Sequence, residues 1–242
     1  MRIAFDLDGV LADLHAPFAQ AALRLFPELD PVAIKTADIG ASPPSDDAAG
    51  PPEAEAPQSS VALTSRQADA VWKYLSAIDN FWEGLSEIDG GAIARLASLA
   101  DERRWELIFI TSRPHSAGKT VQRQSQHWLE KLGFPMPSVF VVHGSRGRVA
   151  EALRLDVVVD DRPENCLDVV LESKAAAILV WRGAEAMVPA SARRLGIGVV
   201  PTVDACLEAL VEAERSSGDG GLLDRLRRLL GLTTRSARTG VR

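Results

Sequence analysis

Short apolar runs rich in β-branched residues recur along the chain, at 3–7, 107–111, 139–142, 157–160, 178–181 and 197–200. Their apolar character is continuous rather than alternating, which predicts strands covered on both faces. Between them, the stretches 91–103, 120–132, 148–155 and 203–215 carry apolar residues at helical spacing. Strand and helix in alternation predict an α/β fold, a parallel sheet joined by right-handed crossovers. Ligands of such sheets gather at the carboxyl ends of the strands. Those ends are where chemistry is expected.

Two regions depart from the alternation. The first, 14–89, separates the first strand from the second. A helical pattern opens it at 16–26, and the segment 41–60 is dominated by Ala, Pro, Ser, Gly and acids. With almost no apolar residue to anchor it, that segment is expected to be a flexible excursion. A helical pattern resumes at 67–75 and ends in Phe81-Trp82-Glu83-Gly84-Leu85. The insertion is long enough to form a small helical cap over the strand ends. The second departure is the tail, 216–242, a Gly/Ser linker at 216–221 followed by a basic amphipathic pattern at 222–232. Docking of this helix on the body, on a partner or on a membrane surface, and plain disorder, all fit the pattern. The expected division is therefore a core of 1–13 and 90–215, a cap of 14–89 and a tail.

Composition narrows the function classes. The 242 residues are 46% hydrophobic and 25% charged, as in ordinary globular proteins. A formal net charge of -6 and only 5% aromatic residues argue against an extended nucleic-acid surface. Cys166 and Cys206 show no Cys-x-x-Cys spacing and read as reduced thiols. No apolar run approaches the length of a membrane span, and the sequence opens on a strand pattern without a leader. A cytoplasmic location is the expectation.

The chemistry is at the strand ends. The first strand runs into Asp6-Leu7-Asp8-Gly9-Val10, which puts two carboxylates on the same side of an extended chain, before a glycine that permits a tight turn. Acids so close repel one another unless a cation lies between them. The second long strand ends in Thr111-Ser112-Arg113-Pro114, where hydroxyls and N–H groups suit an anion, although a lone Thr is often a helix cap. The run 157–159 leads to Asp160 and Asp161, hard oxygen donors of the kind magnesium requires. Before it, Ser145-Arg146-Gly147-Arg148 offers cations.

In combination and order these motifs resemble the haloacid dehalogenase (HAD) superfamily over roughly 1–13 and 90–205. Asp6 to Val10 matches its first motif, 107–111 its second, and Asp160 with Asp161 its fourth. The resemblance implies a three-layer Rossmann-like core with a cap between the first and second strands. It also implies phosphatase activity through an aspartyl-phosphate. Asp6 would be the nucleophile, Asp8 the general acid and base, and Thr111 and Ser112 the phosphate-binding residues. Magnesium would be held by Asp6, Asp8 (through its backbone carbonyl) and Asp161, with Asp160 orienting them. The superfamily's third motif is normally a lysine, and no lysine occurs between Lys131 and Lys174. An arginine would then screen the nucleophile and bind the phosphate in its place; Arg146 fits the usual distance better, with Arg148 second. An acid at Asp8 favours phosphate chemistry over dehalogenation.

The insertion, Thr111-Ser112-Arg113-Pro114 and Asp160-Asp161-Arg162-Pro163-Glu164 resemble the 5′-nucleotidases of the deoxyribonucleotidase (type C) group. Trp72, Tyr74, Phe81 and Trp82 would then stack on a base, or else form the cap's own core. The four histidines, His15, His115, His127 and His143, show no metal-ligand spacing. The leading expectation is a phosphomonoesterase for a small metabolite, a nucleotide among the candidates. A 3′-phosphatase on nucleic-acid ends is disfavoured by the acidic balance. A phosphate- or protein-binding module is disfavoured by the intact Asp6/Asp8 pair, because binding alone has no need of the second acid.

Overall fold

The computed structural model describes residues 1–30, 34, 63–215 and 222–229. The excursion expected at 41–60 and the linker at 216–221 lie outside the described residues. In chain order the strands are β1 (Arg2–Asp6), β2 (Ala12–Asp13), β3 (Ser86–Glu87), β4 (Glu106–Thr111), β5 (Val139–Val141), β6 (Val157–Asp160), β7 (Ala176–Val180) and β8 (Gly198–Val200). Six of them form one sheet in the order β5-β4-β1-β6-β7-β8, parallel at every pairing, and β2 with β3 makes a two-stranded ribbon. Numbered along the chain, the sheet runs third, second, first, fourth, fifth, sixth, the order of a doubly wound fold. The expected Rossmann-like α/β architecture is what the chain adopts.

Burial on both faces explains the continuous apolar runs. Ile3, Ala4 and Phe5, three successive residues of β1, are all at 0% exposure, although they point alternately to opposite faces. Ala4, Ile110, Val158, Ala177 and Leu179 share one cluster with Ala150, Cys166, Val169 and Ile197. Elsewhere in the core Phe109 of β4 meets Phe134 edge to face, with ring centroids 4.9 Å apart.

The helices are α1 (His15–Leu25), α2 (Ser65–Ser76), α3 (Ala92–Arg103), α4 (Val121–Lys131), α5 (Arg146–Leu153), α6 (Pro163–Glu172), α7 (Ala190–Leu195), α8 (Val203–Arg215) and α9 (Leu222–Leu229). Local chemistry sets their ends. The Thr64 hydroxyl and Gln67 side chain form a reciprocal capping box, which starts α2 two residues before the apolar pattern at 67–75. Pro163 occupies the first turn of α6, where its missing N–H costs nothing. In the tail, α9 packs on α8 with Leu226 buried. None of the helices among the described residues is long and apolar enough to cross a membrane.

The chain divides into two compact units. One contains Met1–Ala12, Glu87–Ser112 and Leu129–Arg242, and holds the six-stranded sheet. The other joins Asp13–Ser86 to Arg113–Trp128. Its core is aromatic: Phe18 and Trp72 have ring centroids 5.3 Å apart, and Phe81 meets Trp82 at 4.8 Å. Trp72, Phe81 and Trp82 are buried, and Tyr74 lies under the Arg24 guanidinium. Those three aromatics are thus packing residues, which removes them as a surface for stacking on a base.

Candidate active site

Because β1 lies between β4 and β6, the residues ending all three strands come together at one edge. The register pairs Asp6 with Ile110 of β4, and Phe5 with Val159 of β6. Thr111 therefore lies one step beyond Asp6 on one side, and Asp160 lies level with it on the other. Asp6, Thr111 and Asp160 are buried, Asp8 and Asp161 are half-buried, and Ser112 is exposed.

Past Asp6 the chain folds into a tight turn. The N–H groups of Leu11 and Ala12 both donate to the Leu7 carbonyl, at 2.9 and 2.7 Å, and Gly9 N–H donates to Ala12 O at 3.0 Å. Gly9 adopts φ 82°, the left-handed region that glycine enters without cost. It serves a second purpose, since a Cβ at this position would lie 2.0 Å from Asp161 Oδ2. Glycine is what lets that carboxylate approach the turn. Within the turn Asp8 Oδ2 stands 3.5 Å from Thr111 Oγ1.

The cation among these acids is Arg146. Its Nη2 donates to Asp6 Oδ1 at 2.8 Å, and its Nε stands 3.7 Å from Asp160 Oδ2. Local sequence explains the placement. The Ser145 hydroxyl caps α5 by accepting the Arg148 N–H at 3.2 Å, which makes Arg146 the first helical residue. Gly147 then permits α5 to lie directly on α6, because a Cβ there would be 2.1 Å from the Asp168 carbonyl oxygen. Arg148 points elsewhere, exposed, with its Nε 3.6 Å from Glu172 Oε1. Of the two arginines that sequence offered, Arg146 is the one at the carboxylates.

Asp160 is firmly held. Asn165 Nδ2 donates to both of its oxygens at 3.0 Å, and the Arg162 N–H donates to Oδ1 at 2.9 Å. Sequence reasoning assigned Asn165 no role. The signal was its position five residues after Asp160, where the first turn of α6 brings a side chain back to the strand end. Cys166 follows it, fully buried, with its thiol pushed well up by burial and by the neighbouring acids. Such a thiol is inert packing.

Crowding sets the electrostatics. Burial lifts the Asp6 carboxyl well above the ordinary 3.8; repulsion from Asp160, Asp161 and Asp8 adds to this, and Arg146 opposes it. Burial and then repulsion from Asp160 and Asp8 push Asp161 up to about 7. Asp160 is raised by burial, with Arg146 and its hydrogen bonds pulling the other way. Negative charge is thus in surplus here. Among the described residues no three His, Cys, Asp or Glu side chains stand in an arrangement that already encloses a metal ion. The donor set nevertheless fits magnesium in kind, with hard carboxylate oxygens, a repulsion that a cation would relieve, and a glycine cradle beside Asp161.

No protein-family model matches the chain, and no curated protein does. Solved structures share its fold. A hydrolase from Pseudomonas syringae aligns at 16% identity and a TM-score of 0.51, covering 90% of this chain and 100% of that one. A HAD family hydrolase from Deinococcus radiodurans R1, with bound phosphate and sodium, aligns at 16% identity and a TM-score of 0.52, covering 87% and 94%. The fold of this chain is therefore that of HAD hydrolases.

Proposed function

We propose that the chain is a magnesium-dependent phosphomonoesterase that acts on a small phosphorylated metabolite through an aspartyl-phosphate on Asp6. The observation that carries this reading is the buried contact of Arg146 with Asp6 at 2.8 Å, made inside a surplus of carboxylates at the ends of β1 and β6. A guanidinium held there favours the ionised nucleophile, in opposition to burial and the neighbouring acids. It also presents a planar donor fork to phosphoryl oxygens.

Asp6 is the nucleophile. One of its oxygens bonds to phosphorus while the ester P–O bond breaks, and Asp8 gives the departing oxygen a proton. Asp8, now a carboxylate, takes a proton from water as that water attacks phosphorus. The Asp6–phosphate bond breaks, inorganic phosphate leaves, and both acids return to their starting state. Thr111, with Ser112 beside it, holds phosphoryl oxygens. Asp6, the Asp8 backbone carbonyl and Asp161 would bind magnesium, with Asp160 fixed behind them by Asn165. Bound there, the ion supplies charge that offsets the phosphoryl oxygens. Splitting one displacement into two explains why both acids of the first motif are needed.

The likeness of the motifs to type C nucleotidases puts 5′-(deoxy)nucleotides on the list of substrates. Recognition of a base falls to residues other than Trp82, which is buried under Arg113. Phosphate release from a panel of sugar phosphates and 5′-nucleotides, with magnesium or with chelator, tests the proposal. Magnesium-dependent release from at least one member is expected. Release that is equal in chelator, or release from none with the protein folded, contradicts it.

A further inference from the structure

The turn that carries Asp8 is tied to the rest of its unit at one point the mechanism leaves unused. The Val10 carbonyl, two residues past Asp8, accepts a hydrogen bond from Arg182 Nη2 at 3.1 Å. Arg182 follows the end of β7 and does not move freely. Its Nη1 and Nη2 grip the two oxygens of Asp89 at 2.9 and 2.8 Å, a bidentate pairing. Asp89 in turn accepts the backbone N–H of Val203, the first residue of α8, at 3.0 Å. Beside it, Ile88 N–H donates to the Leu11 carbonyl at 2.9 Å. The chain leaving β1 and the chain returning through β3 are thus fastened to each other, to the segment that follows β7 and to the start of α8. Burial works to raise the Asp89 carboxyl, but the hydrogen bonds from Arg182 and Val203 outweigh it and hold the group below its ordinary value. The pair stays ionised at neutral pH.

We propose that Arg182 and Asp89 are positioning residues that hold the Asp8 turn in register for proton transfer. This rests on the phosphatase reading for its catalytic half. Neither side chain touches the strand-end carboxylates; they act through the Val10 carbonyl. General acid catalysis demands hydrogen-bond reach, and a displacement near 1 Å is enough to cost about a hundredfold in rate. The Arg182 hydrogen bond to the Val10 carbonyl restrains such a displacement of the turn. Because Asp8 protonates the leaving group, its placement matters most when the departing oxygen is strongly basic. An aryl phosphate leaves without that help, whereas an alkyl phosphate does not.

The test uses Arg182→Ala and Asp89→Asn in the full chain, with two readings. Hydrogen exchange at the Leu11 and Ala12 amides requires no activity. It should quicken about tenfold or more in Arg182→Ala, with amides of β1 unchanged. Single-turnover rates, with p-nitrophenyl phosphate and with an alkyl phosphate accepted by the wild type, should then separate. The alkyl rate should fall about tenfold further than the aryl rate, with KM for each nearly constant. Arg182→Lys, which keeps the charge beside Asp89, should recover part of the alkyl rate. Unchanged exchange at Leu11 and Ala12 overturns the proposal, and so does an equal loss on both esters. If the wild type hydrolyses neither ester, the phosphatase reading falls and takes the proton-transfer role with it, while exchange still decides whether Arg182 holds the turn.

Discussion

Two arginines are buried to almost the same extent, Arg146 at 3% and Arg113 at 2% exposure, and their surroundings differ in kind. Arg113, in the second unit, lies over the rings of Trp82 and Trp128 at 4.8 and 5.6 Å from their centroids and donates to Ser125 Oγ at 2.8 Å. Around it Gln124 accepts the Trp82 N–H and donates to the carbonyls of Ala117 and Lys119. Indole faces and neutral dipoles help to stabilise a cation. Arg146 instead meets Asp6 and Asp160, and its single charge faces more acids than it can balance. Burial of a charge is common to both regions. What differs is the neighbouring groups: rings and amides beside Arg113, and several carboxylates around Arg146.

The sharpest way to break this comparison is to truncate each arginine. Arg146→Ala should lower kcat/KM by about a hundredfold or more, since a buried charged contact at the reacting centre is lost. Arg146→Lys should restore most of it, because an ammonium can also screen the nucleophile. Arg113→Ala should register mainly in stability, by about 2 kcal/mol or more from lost ring contacts, seen as a lower denaturation midpoint. If Arg113→Ala abolished turnover in protein that remained folded, or Arg146→Ala left it intact, the distinction would collapse.

A finer probe is Gly147. An alanine there drives its Cβ toward the Asp168 carbonyl oxygen, now 2.1 Å from where it would sit. Backbone does not yield cheaply, so overpacking should cost about 1–3 kcal/mol and shift α5. Because α5 carries Arg146 in its first turn, activity should fall along with the melting temperature. A variant that loses stability but keeps full kcat would show that Arg146 is not held by this contact.

The smallest expected effect concerns Glu83 in the second unit. The Lys119 hydrogen bond holds its carboxyl below the ordinary 4.5, against the opposing effect of burial and with help from His127. A carboxyl with a lowered folded pKa contributes stability above its unfolded value, and loses it as pH falls through the folded one. Glu83→Gln should therefore lower Tm slightly at pH 7, and the difference from wild type should shrink as the pH drops below 4.5. Partial exposure keeps the effect small. A difference that is constant across this range would mean the carboxylate charge contributes nothing.

The sheet was readable because burial on both faces leaves a local trace: β1, β4 and β6 are largely apolar runs, ending in Asp6, Thr111 and Asp160. The acids Asp6, Asp8, Asp160 and Asp161 could be found from position alone. Choosing Arg146 over Arg148 needed the cap at Ser145 and the close approach at Gly147, which set the direction of each side chain. Thr64 hid the true start of α2, as it bonds to Gln67 rather than contributing to the apolar period. Asn165 was marked only by its spacing from Asp160, and the Arg182–Asp89 pair left no trace in the pattern. Their partners are brought to them by the turn of a helix or by a separation of 93 residues. Periodicity reports what a residue is buried against, not which distant group it bonds.

The most direct measurement is to trap the covalent intermediate. Protein mixed with a radiolabelled phosphomonoester it hydrolyses, quenched in acid and digested, should carry the label on the peptide that contains Asp6. Asp6→Asn should carry none and should release phosphate at least about a thousandfold more slowly. Label on another peptide, or release from Asp6→Asn at the wild-type rate, would contradict the account of the carboxylate surplus around Arg146 as a nucleophilic centre.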